Sequence, residues 1–295
     1  MVAPPETPVE LASWQFGEGE EIAADLTAIT LLGGGDRTEA WLAWDARLHS
    51  PVVAKLIRPD QLSDARAREA LAREASTLAA LQHPSIVRAF RAEVDGPRPL
   101  LVLEALDGPR LSTLLRRFGP LASEQVVSLA VNVASALAYL HDAGYLHLDV
   151  KPRNLIIGAA PRLIDLGIAR RQDEIGLLTS PIGTDAYMAP EQCSTGRLAE
   201  IGAWSDVWGF AATLYEASSG RRPFEPTPAI RFPQLTTLAR PLEARLPDPL
   251  KALIEAGLRP EPKSRPPLTS VLAALDEMYP AAHAIARRRV RRRIR

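Results

Sequence analysis

His147-Leu148-Asp149-Val150-Lys151-Pro152-Arg153-Asn154 is the stretch on which the reading turns. From Asp149 to Asn154 it packs a carboxylate, a cation and a side-chain amide into a span that an ordinary polar turn rarely fills this way. Asp149 can accept or orient a hydroxyl proton, Lys151 can neutralise charge on a transferring phosphoryl group, and Asn154 can bind a metal. Upstream, Ser123–His141 reads as a helix closed by Gly144, the residue type suited to a left-handed cap. Downstream, the β-like runs Leu155–Ile157 and Arg162–Ile164 are joined by Gly158-Ala159-Ala160-Pro161 into a small hairpin. Asp165-Leu166-Gly167 follows, so a second carboxylate stands at a strand end beside a permissive glycine. Magnesium takes hard oxygen ligands of this kind, and Asp165 with Asn154 offers the sparse ligation it accepts when a nucleotide supplies the rest.

Toward the N-terminus, the β-like runs Ala28–Leu32, Ala40–Trp44, Pro51–Ile57 and Leu100–Leu103 surround one strongly helical segment. That helix runs from a cap at Ser63 or Asp64 to Leu81, with Leu71, Ala75, Leu78 and Leu81 at helical spacing. Glu74 lies on the same stripe, where an unpaired charge would be expensive. Lys55 ends the apolar strand Val52-Val53-Ala54 and needs an anionic partner for the same reason. An inward lysine and an inward glutamate in one small lobe argue for a pair. Between two of the strands, Leu32-Gly33-Gly34-Gly35-Asp36-Arg37-Thr38-Glu39-Ala40 would let backbone amides approach a phosphate closely, although taken alone it reads more readily as a flexible hairpin turn. It lacks the Gly-Lys-Ser/Thr of a Walker loop and the strand-to-helix turn of a dinucleotide fingerprint. After Asp107-Gly108-Pro109, Leu111–Phe118 reads as a helix, and the rest of the chain is mostly helical.

The 295 residues, 46% hydrophobic and 24% charged, match a globular protein rather than a disordered or membrane one. Net charge is zero but uneven: Arg287–Arg295 holds 7 of the 35 basic residues, leaving 28 against 35 acidic ones before it. An acidic body disfavours nucleic acid, so any such binding falls to the tail. Cys193 is the only cysteine, which excludes an internal disulfide and fits a reducing cytoplasm. The start, MVAPPETPVE, carries prolines and acids where a signal peptide needs a basic then an apolar region, and no run reaches roughly 18 apolar residues.

In order and spacing these pieces resemble the eukaryotic-type (Hanks-type) protein kinase family, particularly its bacterial serine/threonine members. Gly183-Thr184-Asp185-Ala186-Tyr187-Met188-Ala189-Pro190-Glu191, Ser205-Asp206-Val207-Trp208-Gly209 and Arg265 add to the match. The resemblance implies an α+β, two-lobed kinase fold: a small antiparallel sheet with one helix over about residues 21–104, and a mostly helical lobe over about 107–279. Residues 1–20 then form a flexible leader and 280–295 an arginine-rich tail. By the same resemblance, Asp149 is the catalytic base, Lys151 assists it, and Lys55 holds the α- and β-phosphates of ATP and pairs with Glu74. Asn154 and Asp165 hold Mg2+, with Mn2+ as an alternative. Nucleotide contacts fall to Gly33, Gly34, Gly35, Asp36, Ala40, Ala54, Lys55, Leu103, Glu104 and Leu106, with Glu104, Ala105 and Leu106 as the hinge beside adenine. Glu191 and Arg265 resemble a buried ion pair. Lys151 and Thr184 resemble the serine/threonine type, Thr184 being placed to bridge Asp149 and Lys151.

Three departures stand out. Thr38 replaces the third loop glycine and Ala40 the valine that covers adenine, which implies modest nucleotide affinity. Leu166 stands where phenylalanine is usual. Leu148 replaces the arginine that in many members receives the activation-segment phosphate, so phosphorylation of Thr179 or Ser180 is expected to matter little. The implied activity is ATP-dependent phosphorylation of Ser/Thr hydroxyls on protein substrates, its own included. The alternative is a pseudokinase scaffold that binds ATP without turnover; a small-molecule phosphotransferase is disfavoured by the platform-like Gly183–Glu191. The tail stays open between a solvated end and a polybasic patch for an anionic membrane surface.

Overall fold

Alternation of apolar and polar residues over the first hundred positions builds one antiparallel sheet. In the computed structural model, which describes residues 12–227 and 229–278, its strands are β1 (Glu21–Ala23), β2 (Leu26–Gly34), β3 (Thr38–Asp45), β4 (Ser50–Ile57), β5 (Ala89–Glu93) and β6 (Leu100–Glu104). They lie in the order β1-β2-β3-β4-β6-β5. β1 and β5 were not legible as strands because both are edge strands, one of three residues and the other largely exposed. The inward face of β3 is Glu39, Trp41, Ala43 and Asp45, all buried at a period of two. Helix α1 (Ala65–Ala80) buries Ala67, Leu71, Glu74, Thr77 and Leu78. The Asp64 carboxylate accepts the Arg66 amide at 2.9 Å, as an N-cap does.

Residues 12–80 and Arg88–Ala105 form one compact unit. The stretch expected as a flexible leader belongs to it from Ala12 onward. Phe16 is buried in the core with Leu26, Trp41 and Val52, and Trp14 packs against that cluster. Two large aromatic rings bury too much apolar surface to be left in solvent. Residues 1–11 and the arginine-rich tail from 279 lie outside the described residues.

Among the described residues, the second unit comprises Leu81–Val87 and 106–278. Its helices are α2 (Leu111–Phe118), α3 (Ser123–Asp142), α4 (Pro190–Cys193), α5 (Ala203–Ser219), α6 (Asp248–Gly257) and α7 (Leu268–Met278), with short strands β7 (Tyr145–Leu146), β8 (Leu155–Ile157), β9 (Pro161–Leu163) and β10 (Arg170–Arg171). Leu81–Val87 departs from the expected lobe boundary because its polar groups are bonded here. The Gln82 amide donates to Tyr139 Oη at 2.9 Å, Ser85 Oγ to Asn132 at 3.1 Å, and the Leu163 and Ser85 backbones meet at 2.7 Å. Helix α5 is buried nearly all round, from Ser205 through Ser218, which makes it the scaffold of this unit. Among the described residues no helix is long and apolar enough to cross a membrane.

Candidate functional site

In the first unit, sheet register gathers the expected residues. Gly33 pairs with Ala40, Ala40 with Lys55 and Lys55 with Leu101, so one rung of the sheet crosses the glycine hairpin and the lysine strand. Ala54 pairs with Val102, Leu103 with Val53 and Glu104 with Val52, which sets these three pairs on adjoining rungs. Gly33 and Gly34 end β2, and Gly35 and Asp36 lie in the turn to β3, where the Gly35 amide donates to the Thr38 carbonyl at 2.9 Å. A Cβ on Gly34 would overlap the Thr38 carbonyl and Glu39 Cα, so this glycine is required by close approach. Lys55 Nζ lies 2.6 Å from Glu74 Oε2, with the glutamate side chain almost wholly buried. Ala105 closes this unit and Leu106 belongs to the next.

The second unit assembles the rest. Asp149 sits in a cradle of three donors. Thr184 Oγ1 donates to its Oδ1 at 2.7 Å, while Lys151 Nζ at 2.6 Å and Asn154 Nδ2 at 3.0 Å donate to its Oδ2. Lys151 also donates to Thr184 Oγ1 at 2.5 Å, closing the bridge expected of that threonine. A carboxylate oxygen accepts about two bonds, so Oδ1, which accepts only from Thr184 among the described residues, keeps a position for an incoming hydroxyl. Asn154 spends its amide nitrogen on Asp149, so its amide oxygen is the atom that could meet a cation. The β8–β9 hairpin carries Asp165 to the same end, because Leu155 pairs with Leu163 and the Ile164 amide donates to the Asn154 carbonyl at 2.9 Å. Asn154 and Asp165 thus stand on neighbouring backbone, and both carry oxygens of the kind a hard divalent cation takes. Among the described residues no cluster of three or more His, Cys, Asp and Glu competes as a metal site.

Leu148 and Asp165 adopt positive φ, 64° and 68°. A side chain in that region costs on the order of 1–3 kcal/mol and persists only where its surroundings hold it. At Leu148 those restraints are visible. Its amide donates to Asp206 Oδ1 at 2.7 Å and its carbonyl accepts from Gln192 Nε2 at 3.0 Å. Asp206, at the start of α5, also accepts the His147 amide at 2.8 Å and faces His141 Nε2 at 2.8 Å. Burial works to raise its pKa, but the hydrogen bond and charge of His141 and the amide bonds hold it below the ordinary carboxylate value.

Gly183–Glu191 is anchored on both sides. Arg265 forks onto Glu191 at 2.7 and 3.0 Å, and its remaining donors meet the carbonyls of Arg259, Pro260 and Trp204. All five guanidinium N–H groups are thereby used, which only arginine can do. Gln234 Nε2 donates to the Asp185 and Met188 carbonyls at 2.8 and 3.0 Å, and Arg231 forks onto the Asp185 carboxylate. Gln234 and Arg231 carried no motif in the sequence and were missed. Glu39 and Arg58 were missed too, although Glu39 shares the inward β3 face with Trp41 and Ala43 and so bore the same signal that singled out Glu74. Cys193 is buried, and burial pushes its thiol up to about 12, so it stays protonated at neutral pH and offers no nucleophile.

A family model described as "Protein kinase domain" matches residues 26–275. The chain is 37% identical over 203 residues to serine/threonine-protein kinase PknB of Mycobacterium leprae, covering 66% of this chain and 32% of the relative. It is also 37% identical over 223 residues to serine/threonine-protein kinase PkaA of Streptomyces coelicolor, covering 73% and 40%. The matched part thus spans between about a third and two fifths of the length of these relatives.

Proposed function

This chain belongs to the protein kinase domain family, and from that premise we propose that it transfers the γ-phosphoryl group of ATP to serine and threonine hydroxyls of proteins, its own included. The observation that carries the reading is the three-donor cradle around Asp149. In the proposed step the acceptor oxygen forms a bond to the γ-phosphorus while the bond from that phosphorus to the β,γ-bridging oxygen breaks. The hydroxyl proton passes to Asp149 and ADP leaves. Thr184, Lys151 and Asn154 fix both carboxylate oxygens, so Asp149 meets the hydroxyl in one orientation, and Lys151 neutralises charge near the acceptor. Glu74 holds Lys55 for the α- and β-phosphates. Adenine contacts fall to Ala40, Ala54, Leu103, Glu104 and Leu106. Asn154 and Asp165 would hold magnesium, or manganese in its place, which when bound neutralises phosphate charge. Gly183–Glu191, pinned by Arg265, Gln234 and Arg231, is the surface on which a protein acceptor would rest.

The deciding experiment incubates the purified chain with γ-labelled ATP and Mg2+ beside Asp149→Asn, and locates label by mass spectrometry. Phosphoserine and phosphothreonine that vanish in the variant are expected. Nucleotide binding with no label on itself or on generic acceptors would overturn the reading in favour of a scaffold without turnover.

A further inference from the structure

Glu39 is fully buried, and a buried carboxylate is tolerated only when its lone pairs are satisfied. Its Oε1 accepts Trp41 Nε1 at 2.8 Å and the Trp14 backbone amide at 3.1 Å, and its Oε2 accepts Arg58 Nη1 at 3.3 Å. The same guanidinium donates from Nη1 to the Ala12 carbonyl at 2.8 Å and from Nε to the Gly35 carbonyl at 2.8 Å. One ion pair therefore joins three pieces of backbone: residues 12–14, the start of β3, and the middle of the glycine turn. The N-terminal piece is held from its other side as well. Trp14 Nε1 donates to the Ile57 carbonyl at 2.9 Å, its ring stacks on Phe16 at 5.9 Å, and Arg98 lies over both rings. Phe16 meets Trp41 edge-on at 5.3 Å.

We propose that residues 12–16 form a strap that, through the Glu39–Arg58 pair, sets the position of the Gly33–Thr38 turn, making Arg58 a positioning residue for the nucleotide. In a trans peptide the carbonyl and the following N–H point in opposite directions, so tying the Gly35 carbonyl to Arg58 turns the Asp36 N–H to the other side of the turn. The turn carries Thr38 in place of a third glycine, and its shape is held from outside by this guanidinium. Without the strap, Glu39 loses a donor and Arg58 an acceptor, and the fork that reaches Gly35 loses its alignment. The inference rests on reading Gly33–Thr38 as the nucleotide turn.

The test uses the full chain, Arg58→Lys, Trp14→Ala and Val271→Ala, with circular dichroism and melting to establish folding. Lysine keeps the charge beside Glu39 but loses the fork. Titration with a fluorescent ATP analogue and Mg2+ should show Kd raised about tenfold or more in Arg58→Lys and Trp14→Ala, the scale of one hydrogen bond to a charged group. Val271→Ala, a buried position in α7 away from the strap and the site, should lower Tm while leaving Kd unchanged. Amide exchange over residues 33–38, measured without nucleotide, should quicken in the first two variants while β4 and β6 stay protected. Folded Arg58→Lys and Trp14→Ala proteins with wild-type Kd and wild-type exchange would overturn the strap. Failure of the wild-type chain to bind nucleotide would instead count against the proposed function, and the exchange measurement would still decide whether the strap holds the turn.

Discussion

At the residue scale, the arrangement is one of charged groups made tolerable by full satisfaction of their hydrogen bonds. Asp149 has its three donors, Glu191 its arginine fork, and Lys55 its glutamate. Removing an electrostatic group of this kind typically costs about 10²–10³-fold in rate, so Lys55→Met and Asp149→Asn should each abolish most phosphoryl transfer measured with labelled ATP. Thr184 touches both Asp149 and Lys151, and its loss would displace Asp149, the proposed base, without removing it. Thr184→Val should lower kcat about a hundredfold with KM for ATP little changed, and Thr184→Ser should recover most of it. Wild-type kcat in Thr184→Val would show that the bridge does not position the base. Arg265→Ala leaves Glu191 charged in a buried site, so urea unfolding should show a loss of about 3–5 kcal/mol.

At the element scale, the segment between β9 and α4 is held where Leu148 stands. Leu148 packs with the buried Leu146, Ile175, Leu198 and Ile201, and with the partly buried Ile168, Leu178 and Ile182. An apolar cluster thus ties the segment down at the position where an arginine would need a phosphate. Thr179 and Ser180 are exposed beside it. A Thr179→Ala/Ser180→Ala double variant should therefore keep its activity within about threefold, because it forgoes no charge-assisted bond worth the usual 1.5–3 kcal/mol. A large loss in that variant would refute the idea. Leu148→Ala, by contrast, should cost about 2–5 kcal/mol in unfolding and quicken amide exchange over residues 175–182.

At the scale of the whole molecule, each unit carries a buried carboxylate whose pKa is held down. In the first, burial opposes Asp45, but its hydrogen bond to Arg91 and the Leu48 and Arg47 amides prevail. In the second, Asp206 is held down as described above. Both have an ordinary value of 3.8, and folding lowers it. The sign follows from linkage: the stability these groups contribute is complete above about pH 4 and is lost as pH falls through their folded values. Urea unfolding from pH 7 to pH 3 should show that decline, and Asp206→Asn should be less stable at pH 7 with a shallower acid slope. The tail, Arg287–Arg295, carries a separate expectation. About 1 kcal/mol per basic residue near anionic lipid predicts that the full chain sediments with phosphatidylserine vesicles more than one ending at Pro280, and less so as salt rises. Equal sedimentation would remove that expectation.

The sequence by itself determined which polar groups stand where chemistry could use them, and their order along the chain. Asp149, Lys151 and Asn154 lie within one short loop, and Lys55 and Glu74 each stand on an apolar stripe where a charge demands a partner. Such signals are local, set by spacing along a helix, strand or turn, and need no knowledge of what lies opposite. The core strands β2, β3, β4 and β6 and helix α1 were legible for the same reason. Only the tertiary structure decided that Trp14 and Phe16 belong to the sheet's core, that Arg58 ties the glycine turn to them, and that Leu81–Val87 belongs with the helical unit. It also revealed Gln234 and Arg231 on the Asp185 platform and the apolar cluster around Leu148. These are contacts between positions far apart in the chain, and no periodicity within either partner records which distant backbone group it will meet.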